Sequence, residues 1–160
     1  MEFLTVKLEV PEGINLILGQ SHFIKTVEDI YELIAAAVPR VKFGLAFAEA
    51  SGPCLVRHDG NDPRLTAAAV DACTRIGAGH SFIIFVGNAF PINFLNGLKA
   101  IQEVCNIYCA TANPVEVIVC QTDSGRGIMG IVDGRSPKGV EDDYAREERQ
   151  AFLRKIGYKR

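Results

Sequence analysis

Residues 110–141 constrain the fold of this chain more than any other stretch. Val115–Cys120 is an apolar run rich in β-branched residues, and Ile128–Val132 is a second apolar run. The polar, glycine-containing segment Gln121–Arg126 separates them. Two apolar runs joined in this way predict a β-hairpin. Because the connecting segment and the one after Asp133 are rich in Gly, Asp, Ser, Arg and Lys, this hairpin is also the first place to look for phosphate binding.

The rest of the chain alternates between strand and helix patterns. Apolar residues at helical spacing predict helices over residues 26–37, 63–76, 92–108 and 141–156. The predicted element order is ββαββαβαββα. The sequence of 160 residues therefore predicts an α+β (mixed α/β) fold, as a single domain spanning residues 1–160, with a mixed sheet of about seven strands packed with four helices.

Two local patterns make more specific predictions. The turn-forming residues Pro11–Gly13 separate two strand patterns, which predicts a second hairpin near the N-terminus. The last helix is highly charged, and its apolar residues are predicted to face inward: Tyr144, Phe152 and Ile156.

Charge and hydropathy exclude two classes of partner. The net charge is −2 and there is no long basic run, which argues against general nucleic-acid binding. No apolar run approaches the ~20 residues that span a bilayer, and no signal-peptide pattern is present. We therefore expect a soluble, cytoplasmic protein that binds neither nucleic acid nor membranes. The five cysteines include no CxxC pair and are expected to fill the core.

A glycine motif lies at the start of the second hairpin strand. Gly125–Gly130 matches G-x-G-x-x-G, but these glycines enter a strand, whereas the dinucleotide-binding motif opens a helix. The partner motifs of the protein-kinase glycine-rich loop are missing, and so is a Walker A sequence. Two interpretations stay open: Gly125 and Gly127 allow close packing, or they approach a phosphate. Arg126 between them favours phosphate, because a guanidinium group matches phosphate oxygens.

Two of the three histidines are candidates for chemistry. His22 and His80 each lie between a glycine-containing loop and an apolar run. A neutral imidazole in such a place can attack phosphorus and become a phosphohistidine. The alternative for each is a half-buried histidine bonded to the backbone. His58, beside Asp59 in a polar segment, is expected to be solvated.

Several polar residues could hold a ligand. Asn93 and Asn96 are one helical turn apart in a predicted helix and could bind a polar ligand, although capping and a solvated face explain this spacing better when it is taken alone. Asp123 and Asp133 could bind Mg²⁺ or act as a general base, as in a metal-dependent hydrolase, but aspartates are common in turns.

Long blocks of the chain resemble one known family, the adenosine-specific kinases of archaea and bacteria. The blocks are GQSHFIKTVEDIYE, GAGHSFIIFVGNAFPINFLNGLKAIQEV, ATANPVEVIVCQTDSGRGIMGIVDGRSPKGVE and the ending FLRKIGYK. Together they cover nearly the whole chain, with residues 50–76 the least distinctive part. The resemblance implies a compact α/β domain in a homo-oligomer, with a trimer favoured. It also implies binding of adenosine and AMP in preference to ADP and ATP, and a stably phosphorylated histidine.

On this resemblance we expect a phosphotransferase that acts on adenosine or AMP. His80 is the favoured phosphorylated residue and His22 the second. Arg126 with the backbone of Gly125 and Gly127 is expected to bind phosphate, while Asn93, Asn96 and Asp133 are the candidates for binding the nucleoside. No cofactor is firmly implied; Mg²⁺ is a candidate that would accompany a nucleotide phosphate donor. The alternative is a sensor that binds adenosine or AMP without turnover.

Overall fold

The computed structural model describes residues 1–160 as eight β-strands, four α-helices and one short 3-10 helix over Pro91–Asn93. This confirms the predicted α+β class, with one strand more than the expected seven. The elements in chain order are β1 Glu2–Leu8, β2 Ile14–Ser21, α1 Thr26–Ala37, β3 Lys42–Ala48, β4 Val56–Gly60, α2 Pro63–Ile76, β5 Ser81–Gly87, α3 Leu95–Ala100, β6 Val104–Thr111, β7 Val115–Thr122, β8 Gly125–Asp133 and α4 Asp143–Lys155.

The strands form two antiparallel sheets rather than one mixed sheet. The larger sheet has the order β4-β3-β5-β2-β6, and the smaller has the order β1-β7-β8. The predicted β7–β8 hairpin is confirmed, with Thr122 opposite Gly125 across a two-residue turn. The predicted N-terminal hairpin is wrong, because β1 pairs with β7 while β2 lies between β5 and β6. The chain therefore changes sheets after β1.

The five-stranded sheet is the middle layer of the molecule, and both of its faces are buried. Alternation along β3 shows this directly, since Phe43, Leu45 and Phe47 face α1 and α3 while Ala46 and Ala48 face α2 and the smaller sheet. Gly44 allows α2 to lie against β3, because a Cβ at this position would be 2.1 Å from the backbone nitrogen of Thr66. A strand buried on both faces needs a hydrogen-bonded neighbour on each side, which β2 finds in β5 and β6.

The predicted long helix over residues 92–108 is wrong. The helical segment is short, α3 ends at Ala100, and residues from Val104 onward form β6 beside β2. Its apolar residues fit helical spacing, but β-branched and aromatic residues such as Ile107 and Tyr108 also suit a strand. Strand pairing with β2 decided between the two. None of the helices in the structure is both long and apolar enough to cross a membrane.

The C-terminal helix α4 forms as predicted, but its apolar side does not face inward. No residue of α4 is buried. Tyr144, Phe152 and Ile156 are 69%, 58% and 44% exposed. The amphipathic pattern predicted the helix correctly, but a pattern does not show whether the same chain supplies a surface to cover its apolar side.

The cysteines are less uniform than predicted. Cys73 and Cys120 are buried, whereas Cys54 and Cys105 are exposed. Burial raises the pKa of the Cys73 thiol to about 12, so this residue behaves as an unreactive core side chain. The prediction of core cysteines is therefore wrong for Cys54 and Cys105.

Candidate functional site

Both candidate histidines lie at one end of the five-stranded sheet. β2 and β3 finish there, and β4, β5 and β6 begin there. The backbone N–H of Ser21 donates to the carbonyl of His80 at 2.9 Å, so His22 and His80 flank neighbouring strands. We term this region the histidine end, and its residues of interest are Ser21, His22, Lys25, Glu49, Arg57, His80 and Glu103.

His80 is held firmly at this end. Its backbone has a φ of 63°, in the left-handed region, and its N–H donates to the carbonyl of Ala48 at 2.7 Å. The imidazole stacks on the ring of Phe47, with centroids 5.8 Å apart and planes 9° apart. A left-handed conformation costs a non-glycine residue about 1–2 kcal/mol. The surrounding contacts offset that cost and fix the orientation of a half-exposed imidazole.

His22 is held less firmly. Its backbone N–H donates to the carbonyl of Glu103 at 3.1 Å. The residue is exposed, and its ring lies 6.3 Å from that of Phe23 in a tilted arrangement. A side chain with so few contacts can reach a ligand only at a larger cost in conformational entropy. The geometry therefore favours His80 over His22 as a rigidly placed nucleophile.

An ion pair that sequence reasoning missed lies beside His80. Arg57 places Nε 2.8 Å and Nη2 2.7 Å from Oε1 of Glu49. The N–H of Leu55 donates to Oε2 of the same carboxylate at 2.9 Å. That backbone hydrogen bond, followed by the one from Arg57, lowers the pKa of Glu49. No sequence motif marks Arg57, because its position follows from the pairing of β4 with β3.

A second cation at the histidine end contacts a buried carboxylate. Glu103 is 1% exposed, and neither of its carboxylate oxygens accepts a hydrogen bond. The Nζ of Lys25 lies 3.4 Å from Oε2 of Glu103 and 2.7 Å from a carboxylate oxygen of Asp29. The hydrogen bond to Asp29 is the main reason that the pKa of Lys25 is raised. The ammonium group of Lys25 is thus shared between two carboxylates, and no neighbouring group donates a hydrogen bond to the carboxylate of Glu103.

Arg126 approaches the histidine end from the smaller sheet, but most of its guanidinium is already used. Nε donates to Oε1 of Gln121 at 2.7 Å, and Nη1 donates to the carbonyl of Arg75 at 2.9 Å. Arg126 also pairs in parallel with Ala78, two residues before His80. The guanidinium therefore caps the C-terminus of α2, where backbone carbonyls attract positive charge. Binding phosphate in addition would draw on the donors that remain.

The glycines around Arg126 are not required by packing. A Cβ at Gly125 or Gly127 would have no neighbour within 4 Å, although the φ of 149° at Gly125 suits glycine. A small cavity of about 230 Å³ lies beside them. It is lined in part by Gln20, Gly79, Tyr108, Arg126 and Gly127. The open space at Gly127 is compatible with a ligand, whereas the close-packing interpretation finds no contact in the chain.

The other predicted ligand-binding residues lie away from the histidines. Asn93 follows the far end of β5, which starts next to His80 and is seven residues long, or about 23 Å. Its Oδ1 accepts from the N–H of Phe90 at 2.9 Å. Asn96 is exposed in the first turn of α3, and neighbouring Gly97 lies against Leu33 in the second half of α1.

Asp133 also lies away from the histidine end. Its Oδ1 accepts hydrogen bonds from the Thr111 hydroxyl at 2.8 Å and the Asn113 amide at 3.0 Å. Asp123 lies in the turn before β8 and Asp133 ends that strand of nine residues, so about 30 Å separates them. The two aspartates therefore cannot share a metal ion within one chain. No group of three or more His, Cys, Asp or Glu side chains is placed to hold one.

The fold and this site define an antiparallel α+β protein with a histidine at a strand start and anchored cations beside it. The model of the family described as "Adenosine specific kinase" matches residues 6–159, and the chain belongs to that family. The crystal structure of the PH1918 protein from Pyrococcus horikoshii OT3 is similar, with 44% identity and a TM-score of 0.95. The match covers 99% of this chain and 98% of that chain. No curated protein matches the sequence.

Proposed function

We propose that this protein is a phosphotransferase that transfers a phosphoryl group to adenosine or AMP through a phosphohistidine at His80. The observation that carries the proposal is the rigid setting of His80, a strained residue stacked on Phe47 among anchored cations. Membership of the adenosine-specific kinase family supports the choice of substrate. His22, on the neighbouring strand end, is the second candidate.

The chemistry needs two displacements at phosphorus. An unprotonated imidazole nitrogen of His80 attacks the terminal phosphorus of a donor such as a nucleoside triphosphate, and the P–N bond forms as the P–O bond to the leaving group breaks. A hydroxyl of adenosine then attacks phosphorus, the P–N bond breaks, the imidazole is restored and the hydroxyl proton passes to solvent. Mg²⁺ would arrive with the nucleotide donor, whose charge it neutralises.

We place the nucleoside in a cleft that includes Arg57, one of the residues of the histidine end. This cleft of about 400 Å³ lies between the start of α1 and β4. Ile24 and Val27 contribute apolar surface to it, and Arg57 contributes charge. A purine needs an apolar slot with a few polar groups. This cleft therefore fits the proposal better than Asn93, Asn96 or Asp133, which can join the same site only from a second copy of the chain, as in the expected trimer.

The proposal is tested by calorimetric titration with adenosine, AMP, ADP and ATP, together with the intact mass of the protein. We expect binding of adenosine and AMP only, and a mass increase of one acid-labile phosphate. Binding without added mass, before or after incubation with ATP, would instead favour a sensor. No binding of any of the four ligands would contradict both functions.

The histidine assignment has its own test. We expect His80→Ala to lose the acid-labile phosphate completely, because the nucleophile is removed. His22→Ala is the matched control at the adjacent strand end and should keep it. The reverse result would move the phosphoryl group to His22 and leave the proposed reaction unchanged.

A further inference from the structure

A phosphoryl group on His80 needs a positive group close by, and Arg126 is poorly suited to supply it. A phosphoryl group carries up to two negative charges, and arginine is the side chain best matched to its oxygens. Arg126 already donates through Nε to Gln121 and through Nη1 to the end of α2. It also lies on the α2 side of the sheet, where it pairs with the buried residue Ala78. A cation other than Arg126 must therefore bind the phosphoryl group.

Strand register brings Arg57 to the correct face of the sheet. Arg57 on β4 lies directly opposite Phe47 on β3. Residues directly opposite each other in an antiparallel pair point to the same face, with Cβ atoms about 5 Å apart. The ring of Phe47 is the one on which the His80 imidazole stacks. Arg57 and His80 therefore lie on the same face of the sheet, and each neighbours Phe47.

The guanidinium of Arg57 is anchored yet still has free donors. Its Nε and Nη2 both contact Oε1 of Glu49, while Nη1 has no hydrogen-bond partner in the chain. The Glu49 side chain is 6% exposed, whereas that of Arg57 is 40% exposed. The Glu49 carboxylate fixes one edge of the Arg57 guanidinium, and the Nη1 edge faces solvent. Because the side chain is already ordered, binding a second anion at the free edge costs little further conformational entropy.

Lys25 is the rival cation at this end, and its surroundings argue against it. Its ammonium group contacts two carboxylates, those of Asp29 and Glu103. An added phosphate would face two negative charges for one positive charge. Lys25 also contacts the β6 side of the sheet through Glu103, on the other side of β2 from His80. The Arg57–Glu49 pair has a balanced charge and lies on the β3 side of His80.

We infer that Arg57 binds the phosphoryl group carried by His80 and that Glu49 positions Arg57 for this task. The inference rests on the proposed phosphohistidine. Arg57 donates hydrogen bonds to the phosphoryl oxygens while the P–N bond forms and breaks, and it exchanges no proton. Glu49 has no direct contact with the phosphoryl group and is a positioning residue.

The test is the rate at which the protein acquires acid-labile phosphate, followed by intact mass during incubation with ATP and Mg²⁺. We expect Arg57→Ala to slow phosphorylation at least about tenfold, because a charge-assisted donor to the phosphoryl oxygens is lost. Arg57→Lys should recover part of the rate. Millimolar guanidinium, far below denaturing concentrations, should restore Arg57→Ala but leave the wild type unchanged, which a merely structural role would not produce.

Two further variants complete the design. Glu49→Gln should slow phosphorylation by less than Arg57→Ala, and guanidinium should not rescue it, since Arg57 is still present. Arg64→Ala is the matched control, because its side chain is 88% exposed and lies at the start of α2. Should Arg57→Ala fail to fold, Arg57→Gln replaces it, because the amide can still donate to Glu49.

The outcomes separate this inference from the proposed function. A wild-type protein that acquires no phosphate overturns both. A wild-type protein that is phosphorylated on His80 at the same rate as folded Arg57→Ala keeps the proposed function and overturns the role of Arg57. Slow phosphorylation of the variant with guanidinium rescue supports both.

Discussion

The two ends of the five-stranded sheet are built from the same strands but handle polar groups differently. At the opposite end, Asn61 accepts from the N–H of Phe43 and donates to the carbonyl of Val41. Asn15 there donates to the carbonyl of Ala89. These amides have backbone partners and hold segments of chain together. At the histidine end, by contrast, the buried carboxylate of Glu103 accepts no hydrogen bond.

The difference indicates that the histidine end contributes less to the free energy of unfolding than the opposite end does. An unsatisfied buried polar group reduces the free energy of unfolding, and in folded proteins such departures from the usual rules occur mainly at functional sites. The opposite end follows the usual rule that buried polar groups are paired. We therefore expect substitutions at the opposite end to lower stability while leaving function intact. Substitutions at the histidine end should impair function while leaving stability largely unchanged.

The largest change in stability is expected from Asn61→Ala. The substitution removes the hydrogen bonds to Phe43 of β3 and to Val41 just before it. It leaves the N–H of Phe43 without a partner, which should lower the free energy of unfolding by about 2–3 kcal/mol. Urea unfolding measures this. His58→Ala is the control, because His58 is exposed on β4, the strand that ends just before Asn61, and the variant should stay within about 0.5 kcal/mol of the wild type. Equal effects of the two substitutions on the free energy of unfolding would contradict the stabilising role assigned to the paired amides at the opposite end.

Asp133→Ala should have the next largest effect. It removes the acceptor of the hydrogen bonds from Thr111 and Asn113, for a loss of about 1–2 kcal/mol. The adenosine affinity should not change, because Asp133 lies far from the histidine end of its own chain. Asp123→Ala, in the hairpin turn at the other end of β8, is the control. A loss of adenosine affinity in Asp133→Ala alone would show that a second copy completes the site.

Glu103→Gln tests the histidine end in the opposite direction. Removing a buried charge that has no hydrogen bond should leave stability unchanged or raise it by up to about 1 kcal/mol. Thermal unfolding measures this, with Glu32→Gln, on the exposed side of α1, as the control. A decrease of several kcal/mol in the free energy of unfolding would mean that the contact with Lys25 outweighs the cost of burying the Glu103 carboxylate.

The smallest effect is a dependence on pH. Hydrogen bonds from Leu55 and Arg57 hold the pKa of Glu49 below its ordinary value of 4.5. A lowered folded-state pKa stabilises the protein above pH 4.5, and that contribution is lost as the pH falls through the folded-state value. The stability difference between wild type and Glu49→Gln should therefore shrink below pH 4.5. A difference that stays constant from pH 7 to pH 3 would contradict the ion pair.

Local patterns predicted the elements that local forces decide. Two apolar runs around a polar turn predicted the β7–β8 hairpin. Helical spacing predicted α2, at whose start the Asp62 carboxylate accepts from the N–H of Arg64 and Leu65. The long helix failed because residues 101–108 suit a helix and a strand almost equally. Partners distant in the sequence, such as Gln20 opposite Asn106, decided the outcome.

The candidate site divides in the same way. The sequence by itself predicted His22, His80 and Arg126 as site residues, because glycine-flanked histidines and an arginine between glycines are visible along the chain. It grouped Asn93, Asn96 and Asp133 with them, although strand lengths place Asn93 and Asp133 toward the opposite end of the molecule. Side-chain type is readable from sequence, but distance across a sheet is not.

What the sequence alone determined is therefore the α+β class, the family and the β7–β8 hairpin. Only the tertiary structure decided that the strands divide into two sheets, that α4 leaves its apolar side exposed, and that Arg57 shares a face with His80. The physical reason is that periodicity and capping act over a few residues. Strand register and helix packing depend instead on segments far apart in the chain, which must satisfy their hydrogen bonds and bury their apolar surface together.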